Sequence, residues 1–270
     1  MRRFSIRKYI ICILLISGIT FSAEYVYSSP YELSPLTDGL LIGSGAAFYG
    51  LSLYTGKKID PLTDKEIAEL SKNDINSFDR SAADNWSRKA DKWSDRTLTP
   101  IMISPLAFLA ADETRNDFIT IGVMYAESLL ITSGLNGTVK NIAQRNRPYT
   151  YNPDVSVSEK KEEDAVLSFY SGHTVNAFNS AVFVSTVFAD YYPESSWRYF
   201  VWGTTLSAAS LTGYLRYKAG MHYPTDIITG AVIGSVTGWL IPVLHHPGSR
   251  NISFQVIAGE ENMIALVLSF

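Results

Sequence analysis

Three short polar runs carry the residues of this chain that are best suited to chemistry. They are residues 140–148 (KNIAQRNRP), 171–173 (SGH) and 216–226 (RYKAGMHYPTD). From types and spacing, we select from them three fixed cations, two of the four histidines of the chain and one carboxylate. Three cations suit a phosphate group, and a histidine paired with a carboxylate suits nucleophilic attack. The runs therefore predict a phosphate site with its own nucleophile and acid.

The first run predicts an anion grip at the end of a helix. Lys140 and Arg147 lie seven positions apart, about two helical turns, so both side chains project from the same side. Arginine offers phosphate a planar fork, whereas lysine supplies a compact charge. Pro148 ends the helix, and Arg145 points elsewhere on it, so Arg145 is left outside the phosphate contacts.

The second run predicts an anion site at the start of a helix. Ser171 and Gly172 precede His173 where an apolar helix is expected to begin. Backbone N–H groups at a helix N-terminus bind anions, and glycine allows a close approach. His173 is then placed to give a proton to a leaving oxygen. Taken alone, this run is better explained by a capping serine beside an unrelated histidine.

The third run predicts a nucleophile. Asp226 follows His222 by four residues, and Pro224 suits the first turn of a helix, so the carboxylate is expected one turn above the imidazole. A hydrogen bond from Nδ1–H to Asp226 would leave Nε2 as the attacking atom. Arg216 adds the third cation. A structural His–Asp pair explains this run alone, but the other two runs favour catalysis.

In this order and spacing, the three runs resemble the signature of the type 2 phosphatidic acid phosphatase family, over roughly residues 97–245. That family shares a superfamily with bacterial non-specific acid phosphatases and vanadium haloperoxidases. The resemblance implies that His222 attacks phosphorus, that Asp226 orients it, and that His173 protonates the leaving alkoxide. It also implies that the phosphoryl oxygens are held by Lys140, Arg147, Arg216 and the backbone amides near Ser171 and Gly172.

Two positions depart from the family pattern, because Tyr170 stands where the family usually has proline and Leu215 where it usually has serine. Four functions stay open from the sequence. We favour a phosphatase for lipid phosphates, such as phosphatidic acid, phosphatidylglycerophosphate or polyprenyl diphosphate. The alternatives are a broad-specificity acid phosphatase, a vanadate-dependent haloperoxidase and an inactive envelope protein. No metal or cofactor is expected, since three cations already stabilise the charge.

Six apolar segments, each long enough for a helix, predict an all-α bundle of about six helices with the active site at one end. They are residues 39–56, 97–111, 118–139, 174–189, 199–215 and 227–244. The spacing of apolar residues also predicts a surface helix with a buried aromatic stripe over residues 78–93. Residues 251–270 predict a β-hairpin. His245 and His246 stand beside Pro247 and are interpreted as a surface turn.

The N-terminus has the pattern of an export signal. Residues 1–23 combine a basic start, a short apolar stretch and small residues, so we expect them to be cleaved, leaving residues 24–250 as the helical domain. Cys12 is the only cysteine, which excludes an intramolecular disulfide, and it would leave with the signal. The net charge of −3 without a basic block excludes nucleic acid as a partner.

The sequence leaves the relation to the membrane as the hardest inference. The apolar segments are long enough to cross, but the mean hydropathy is only +0.05, and Glu127 would be costly in lipid. Pro100 and Pro105 also interrupt the second segment. We therefore expect a soluble or peripherally bound periplasmic protein that contacts the membrane through a lipid phosphate substrate.

Overall fold

The computed structural model of the chain describes residues 29–57, 59–247, 253–258 and 264–269. The predicted signal peptide, residues 1–23, lies outside the described residues and stays a prediction, as does the boundary of the helical domain. The described part of the chain is mainly helical, which agrees with the predicted all-α class.

Nine α-helices lie in the described residues, rather than the six or so predicted. In chain order, α1 to α9 span Pro35–Gly56, Asp64–Glu69, Arg88–Ile103, Asp112–Asn116, Phe118–Ala143, Val157–Lys160, Gly172–Tyr191, Trp197–Lys218 and Pro224–Leu244. Six are long and form the bundle, whereas α2, α4 and α6 are short and lie in connecting segments. Two of the short helices begin with capping boxes, at Thr63 and Ser156, so local polar contacts define them rather than hydrophobic periodicity.

The predicted helix over residues 78–93 is wrong in its start and in its buried stripe. Helix α3 begins only after Ser87, whose hydroxyl accepts a hydrogen bond from the backbone N–H of Ala90. This N-cap separates the two halves of the apparent periodicity. Phe78 and Trp93 are 60% and 46% exposed, so neither contributes to a buried core.

Two short strands follow the helices. Ser253–Ala258 and Ile264–Ser269 pair antiparallel, with Ser253 opposite Ser269 and Ala258 opposite Ile264. The residues that connect the strands lie outside the described part of the chain, so the terminal hairpin as a whole stays a prediction.

Helices α7 and α9 run parallel and pack backbone to backbone. A Cβ atom at Gly234 would overlap the carbonyl oxygen of Val175, and one at Gly238 would overlap that of Asn179. Only glycine allows so close an approach at these positions. Because both helices begin at the same end of the bundle, this packing brings the second and third polar runs together.

Replacing Gly234 with alanine should destabilise the protein. The added methyl group has no space against α7, and overpacking of this kind costs about 1–3 kcal/mol in the free energy of unfolding. Gly203→Ala is the matched control, because a Cβ atom there meets nothing within 4 Å and should change stability by at most about 1 kcal/mol. Thermal unfolding in detergent measures both, and equal melting temperatures would contradict the packing argument.

The expectation of a soluble or peripherally bound protein is wrong, because two helical segments have the length and composition of membrane spans. Phe118–Tyr151 and Pro224–Leu244 are long and apolar enough to cross a membrane, with mean hydropathies of 1.5 and 1.9. The protein buries only 33% and 28% of their most apolar windows, whereas the core helix of a soluble protein is mostly buried. Large apolar side chains cover their outer faces, among them Ile119, Ile142, Ile228, Val232, Val236 and Trp239.

The expected cost of Glu127 in lipid does not arise, because its carboxylate does not face outward. Its side chain is 1% exposed, and one carboxylate oxygen lies 3.3 Å from Nε2 of His245. The surface-turn interpretation of His245 is wrong for the same reason, since this imidazole is buried and its Nδ1 lies 2.8 Å from the carbonyl oxygen of Ile241. His246 is partly exposed and contacts Asp190.

Candidate active site

Four long helices have an end at the same place in the bundle. Helices α5 and α8 end there, and α7 and α9 begin there. The three polar runs lie at these helix ends, and the backbone N–H of Ser171 in the second run donates to the carbonyl oxygen of Asp226 in the third, at 3.1 Å. Residues that are far apart in sequence therefore form one cluster.

His222 lies at the centre of this cluster and is 1% exposed. Its Nδ1 is 2.8 Å from the carbonyl oxygen of Ser168, which can only accept, so Nδ1 carries the proton and Nε2 keeps a lone pair. Asp226 Oδ2 lies 3.6 Å from Nδ1, so the predicted direct hydrogen bond between the two residues is wrong. Burial, with help from Arg147 and Lys140, lowers the pKa of His222 well below its usual value.

Asp226 is linked to His222 through Ser168. The Ser168 hydroxyl donates to Asp226 Oδ2 at 2.5 Å, while the carbonyl of the same residue holds the imidazole. Asp226 also accepts hydrogen bonds from the backbone N–H of Tyr223 at 3.0 Å and from Arg145 at 2.5 Å. The fully buried carboxylate thus fixes the segment that orients the histidine. Ser168 lies outside the three runs, and no sequence signal pointed to it.

The expected placement of Lys140 and Arg147 two turns apart on one helix is wrong, because α5 ends at Ala143 and Pro148 follows an extended Arg147. Lys140 approaches His222 from the end of α5, and Arg147 approaches it from the segment after the helix. The Lys140 ammonium donates to the carbonyl oxygen of Leu167 at 2.9 Å. Arg147 is 5% exposed, donates from Nε to the carbonyl oxygen of Asp164 at 2.7 Å, and pairs with the Asp164 carboxylate at 3.1 Å. Backbone carbonyls therefore hold both cations in place beside the imidazole, which is the pre-organisation that an anion site needs.

Two carboxylates on α3 complete the cluster, and sequence reasoning missed both. Asp91 forms an ion pair with Arg216, and Asp95 Oδ1 lies 2.7 Å from Nε2 of His173. Asp91 and Asp95 are four residues apart on one helix, so they share a face. That spacing is the signal that could have found them. Burial, followed by the charge of Arg216, lowers the pKa of His173 to about 4.

Ser171 serves as the N-cap of α7, and its hydroxyl accepts hydrogen bonds from the backbone N–H and the hydroxyl of Thr174. The hydroxyl is therefore committed to the helix, and the backbone N–H of Ser171 is committed to Asp226, so Ser171 has no free amide for phosphate. The predicted amide contact at Gly172 stays a prediction. Gly172 packs closely against α5, because a Cβ atom there would lie 3.0 Å from Asn136 Oδ1. Asn136 also donates to the carbonyl oxygen of Tyr170 at 2.8 Å, so Tyr170 is a buried supporting residue.

Gly220 sets the turn that brings His222 into the site. It has a φ of +75°, a conformation that glycine adopts freely. A Cβ atom at this position would also overlap the carbonyl oxygen of Asn85. The Gly220 carbonyl accepts a hydrogen bond from the backbone N–H of Tyr149 at 2.9 Å, which ties the third run to the first.

Arg145 pairs with two carboxylates, Asp226 and Asp79, and its predicted place outside the phosphate contacts stays a prediction. Its guanidinium bridges Asp226 and Asp79, at 2.5 and 2.7 Å, and lies over the ring of Tyr223 at 3.9 Å from the centroid. Asp79 is fully buried and also accepts two hydrogen bonds from Thr225. Asp79 was missed because it lies in a connecting segment far from the runs in sequence.

Replacing Arg145 with glutamine should lower kcat with little change in KM. The substitution leaves Asp226 without its cationic partner, so the Ser168 segment that orients His222 loosens while the phosphate contacts remain. We expect a loss of about 10- to 100-fold, the range for removing a supporting partner. Arg96→Gln, at an exposed arginine on α3, is the control. A raised KM with unchanged kcat would mean that Arg145 binds substrate directly.

A family model described as the PAP2 superfamily matches residues 121–249, a range that contains all three polar runs. These residues form a PAP2 superfamily domain. The family is the one that the order and spacing of the runs resemble.

Two relatives of the PAP2 domain are described as lipid A 4'-phosphatases. The protein from Porphyromonas gingivalis is 34% identical over 73 residues, which are 27% of this chain and 28% of the relative. The protein from Bacteroides thetaiotaomicron is 35% identical over 83 residues, which are 30% of this chain and 32% of the relative. The chain thus matches under a third of the length of either.

Among solved structures, a Bacillus subtilis protein described as a transmembrane PAP2 type phosphatidylglycerolphosphate phosphatase is similar to this chain. The superposition covers 77% of this chain and 92% of the other, with a TM-score of 0.42 and 19% sequence identity.

Proposed function

We propose that the PAP2 domain is a metal-independent phosphomonoesterase that removes phosphate from lipid phosphates through a phosphohistidine intermediate. One observation carries this proposal. His222 is a buried imidazole with its proton on Nδ1, so the Nε2 lone pair is available, and burial together with three nearby cations lowers its pKa. A neutral nucleophile among fixed cations suits attack on an anionic phosphate.

In the first step, the Nε2 lone pair of His222 forms a bond to phosphorus as the bond from phosphorus to the leaving oxygen breaks. Protonated His173 gives its proton to that oxygen, which departs as an alcohol. Lys140, Arg147 and Arg216 hold the phosphoryl oxygens while negative charge shifts across them. The carbonyl of Ser168 stabilises the positive charge that develops on the imidazole.

In the second step, water attacks phosphorus and the bond from Nε2 to phosphorus breaks. Neutral His173 accepts the proton of the water, so both histidines return to their starting states. Asp95 has a positioning role, because its contact with Nε2 of His173 turns that ring within the site. Asp226 positions His222 through Ser168.

The proposed substrate class is a phosphate ester with a lipid body. Two relatives are described as lipid A 4'-phosphatases, and two apolar helical segments suit a site beside a membrane. Lipid A phosphate therefore joins phosphatidic acid, phosphatidylglycerophosphate and polyprenyl diphosphate as a candidate. The proposed setting is the membrane of the cell envelope. Within the proposal, Tyr170 and Leu215 affect how the substrate fits and leave the reacting groups in place.

Phosphate release by the tag-free protein in detergent tests the proposal. The panel contains the four lipid phosphates and water-soluble p-nitrophenyl phosphate, each assayed with and without EDTA, which removes divalent metal. We expect turnover of at least one lipid, and faster turnover of lipids than of p-nitrophenyl phosphate. Equal rates on both classes would favour a broad-specificity acid phosphatase, and no turnover of any ester would refute the proposal.

A further inference from the structure

A second polar cluster lies inside the bundle, far from the PAP2 site residues. Asp38 in the first turn of α1, Glu127 within α5 and His245 directly after α9 place three ligand atoms within 4.8 Å of one another. Asp226 lies at the opposite end of α9, nineteen residues before His245, which is roughly 28 Å along a helix. The cluster therefore takes no part in the proposed phosphate chemistry.

The hydrogen bonds of His245 determine which nitrogen faces the carboxylates. Nδ1 lies 2.8 Å from the carbonyl oxygen of Ile241, which can only accept, so Nδ1 carries a proton. Nε2 lies 3.0 Å from Asp38 Oδ1 and 3.3 Å from Glu127 Oε2. A neutral imidazole would thus point a lone pair at two carboxylates, an arrangement that positive charge would stabilise, either as a second proton on Nε2 or as a metal ion bound by all three groups.

Glu127 supplies an independent sign that the cluster lacks a partner. Its side chain is 1% exposed, and within the described residues neither carboxylate oxygen accepts a hydrogen bond. An unpaired buried carboxylate is costly, so such a group is normally paired or bound to a metal. Its Oε2 atom lies 3.3 Å from Nε2 of His245, and Asp38 faces the same nitrogen.

We propose that Asp38, Glu127 and His245 bind a divalent metal ion of the Zn²⁺ class. One imidazole and two carboxylates are ligands that Zn²⁺ accepts, and the two negative charges balance the ion. Ligand atoms of a tetrahedral zinc lie roughly 3.3 Å apart, close to the separations of 3.0 and 3.3 Å seen here. The hydrogen bond from Nδ1 to Ile241 is the outer-shell contact that orients a metal-binding histidine.

The ion would join three parts of the chain that meet at this end of the bundle. Asp38 is 17% exposed at its side chain, so one ligand borders the surface and gives an entry path. The backbone N–H of Glu32 donates to the carbonyl oxygen of His245 at 2.8 Å, which already ties the segment before α1 to the end of α9. A metal here would have a structural effect, strengthening the attachment of α1 to α5 and α9.

Binding of Co²⁺ to the tag-free, EDTA-treated full chain in detergent tests this proposal. Co²⁺ substitutes for Zn²⁺ and gives visible absorption bands that report its ligands. We expect one Co²⁺ per chain, displaced by one Zn²⁺, and a melting temperature that rises with Zn²⁺ concentration. Glu127→Gln should weaken binding at least about 100-fold, because loss of a mere outer-shell partner already costs about 10- to 100-fold.

Two further variants guard against a folding failure at Glu127. Asp38→Asn, at the partly exposed ligand, should weaken Co²⁺ binding as well, while His246→Gln should leave it unchanged. If the wild type binds no Co²⁺, or if Glu127→Gln and the wild type bind it equally, the proposal is overturned. Because the readouts are binding and unfolding, their result is separate from that of the phosphatase assay.

Discussion

His222→Ala should reduce phosphate release to the background rate, a loss of about 10⁴- to 10⁶-fold in kcat. Without the nucleophile, no bond to phosphorus can form in the first step. Because the side chain is buried among three cations, its removal should leave anion binding largely intact. The measurements are kcat on the best lipid phosphate and the Kd of inorganic phosphate.

His246→Ala is the matched control for the nucleophile variant, because it removes a histidine that contacts Asp190 outside the PAP2 site. It should retain the wild-type kcat. A rapid acid quench of wild-type enzyme mixed with ³²P-labelled substrate should trap an acid-labile phosphoprotein. If His222→Ala still forms that species, another residue is the nucleophile.

His173→Ala should lower kcat on lipid phosphates by about 10²- to 10⁴-fold, the usual contribution of a general acid. The loss should be much smaller with p-nitrophenyl phosphate, whose leaving phenolate needs no proton. This leaving-group dependence separates proton donation from a structural role. Equal losses on both substrates would contradict the assignment of His173 as the acid.

The pKa of His173 predicts how the activity changes with pH. Burial and the charge of Arg216 lower the pKa of His173 to about 4, so its protonated form is present only at acid pH in the free enzyme. Above that pH the protonated fraction falls about tenfold per unit. The ratio of wild-type to His173→Ala kcat/KM cancels the ionisation of the substrate and should fall as pH rises. A ratio that stays constant or rises would contradict the pKa.

Distant contacts explain why some supporting residues escaped sequence reasoning. Asp79 is linked to Asp226 through Arg145, and Ser168 forms hydrogen bonds with both Asp226 and the ring of His222. Neither Asp79 nor Ser168 lies in a polar run. Each partner comes from a different segment, and only the folded backbone brings them together. The same holds for Asp38, Glu127 and His245, which are spread over more than two hundred positions and meet where α1, α5 and α9 pack.

The sequence by itself determined the class of the fold, the three polar runs and the residue types of the proposed phosphate site, because helical spacing and charge are local properties. It also determined the PAP2 resemblance, which the family match supports. Only the tertiary structure decided that the Ser168 carbonyl rather than Asp226 holds Nδ1 of His222. It likewise decided that Glu127 is turned inward, so that its segment is free to cross a membrane. Side-chain direction and distant partners depend on packing, and helical periodicity carries no record of them.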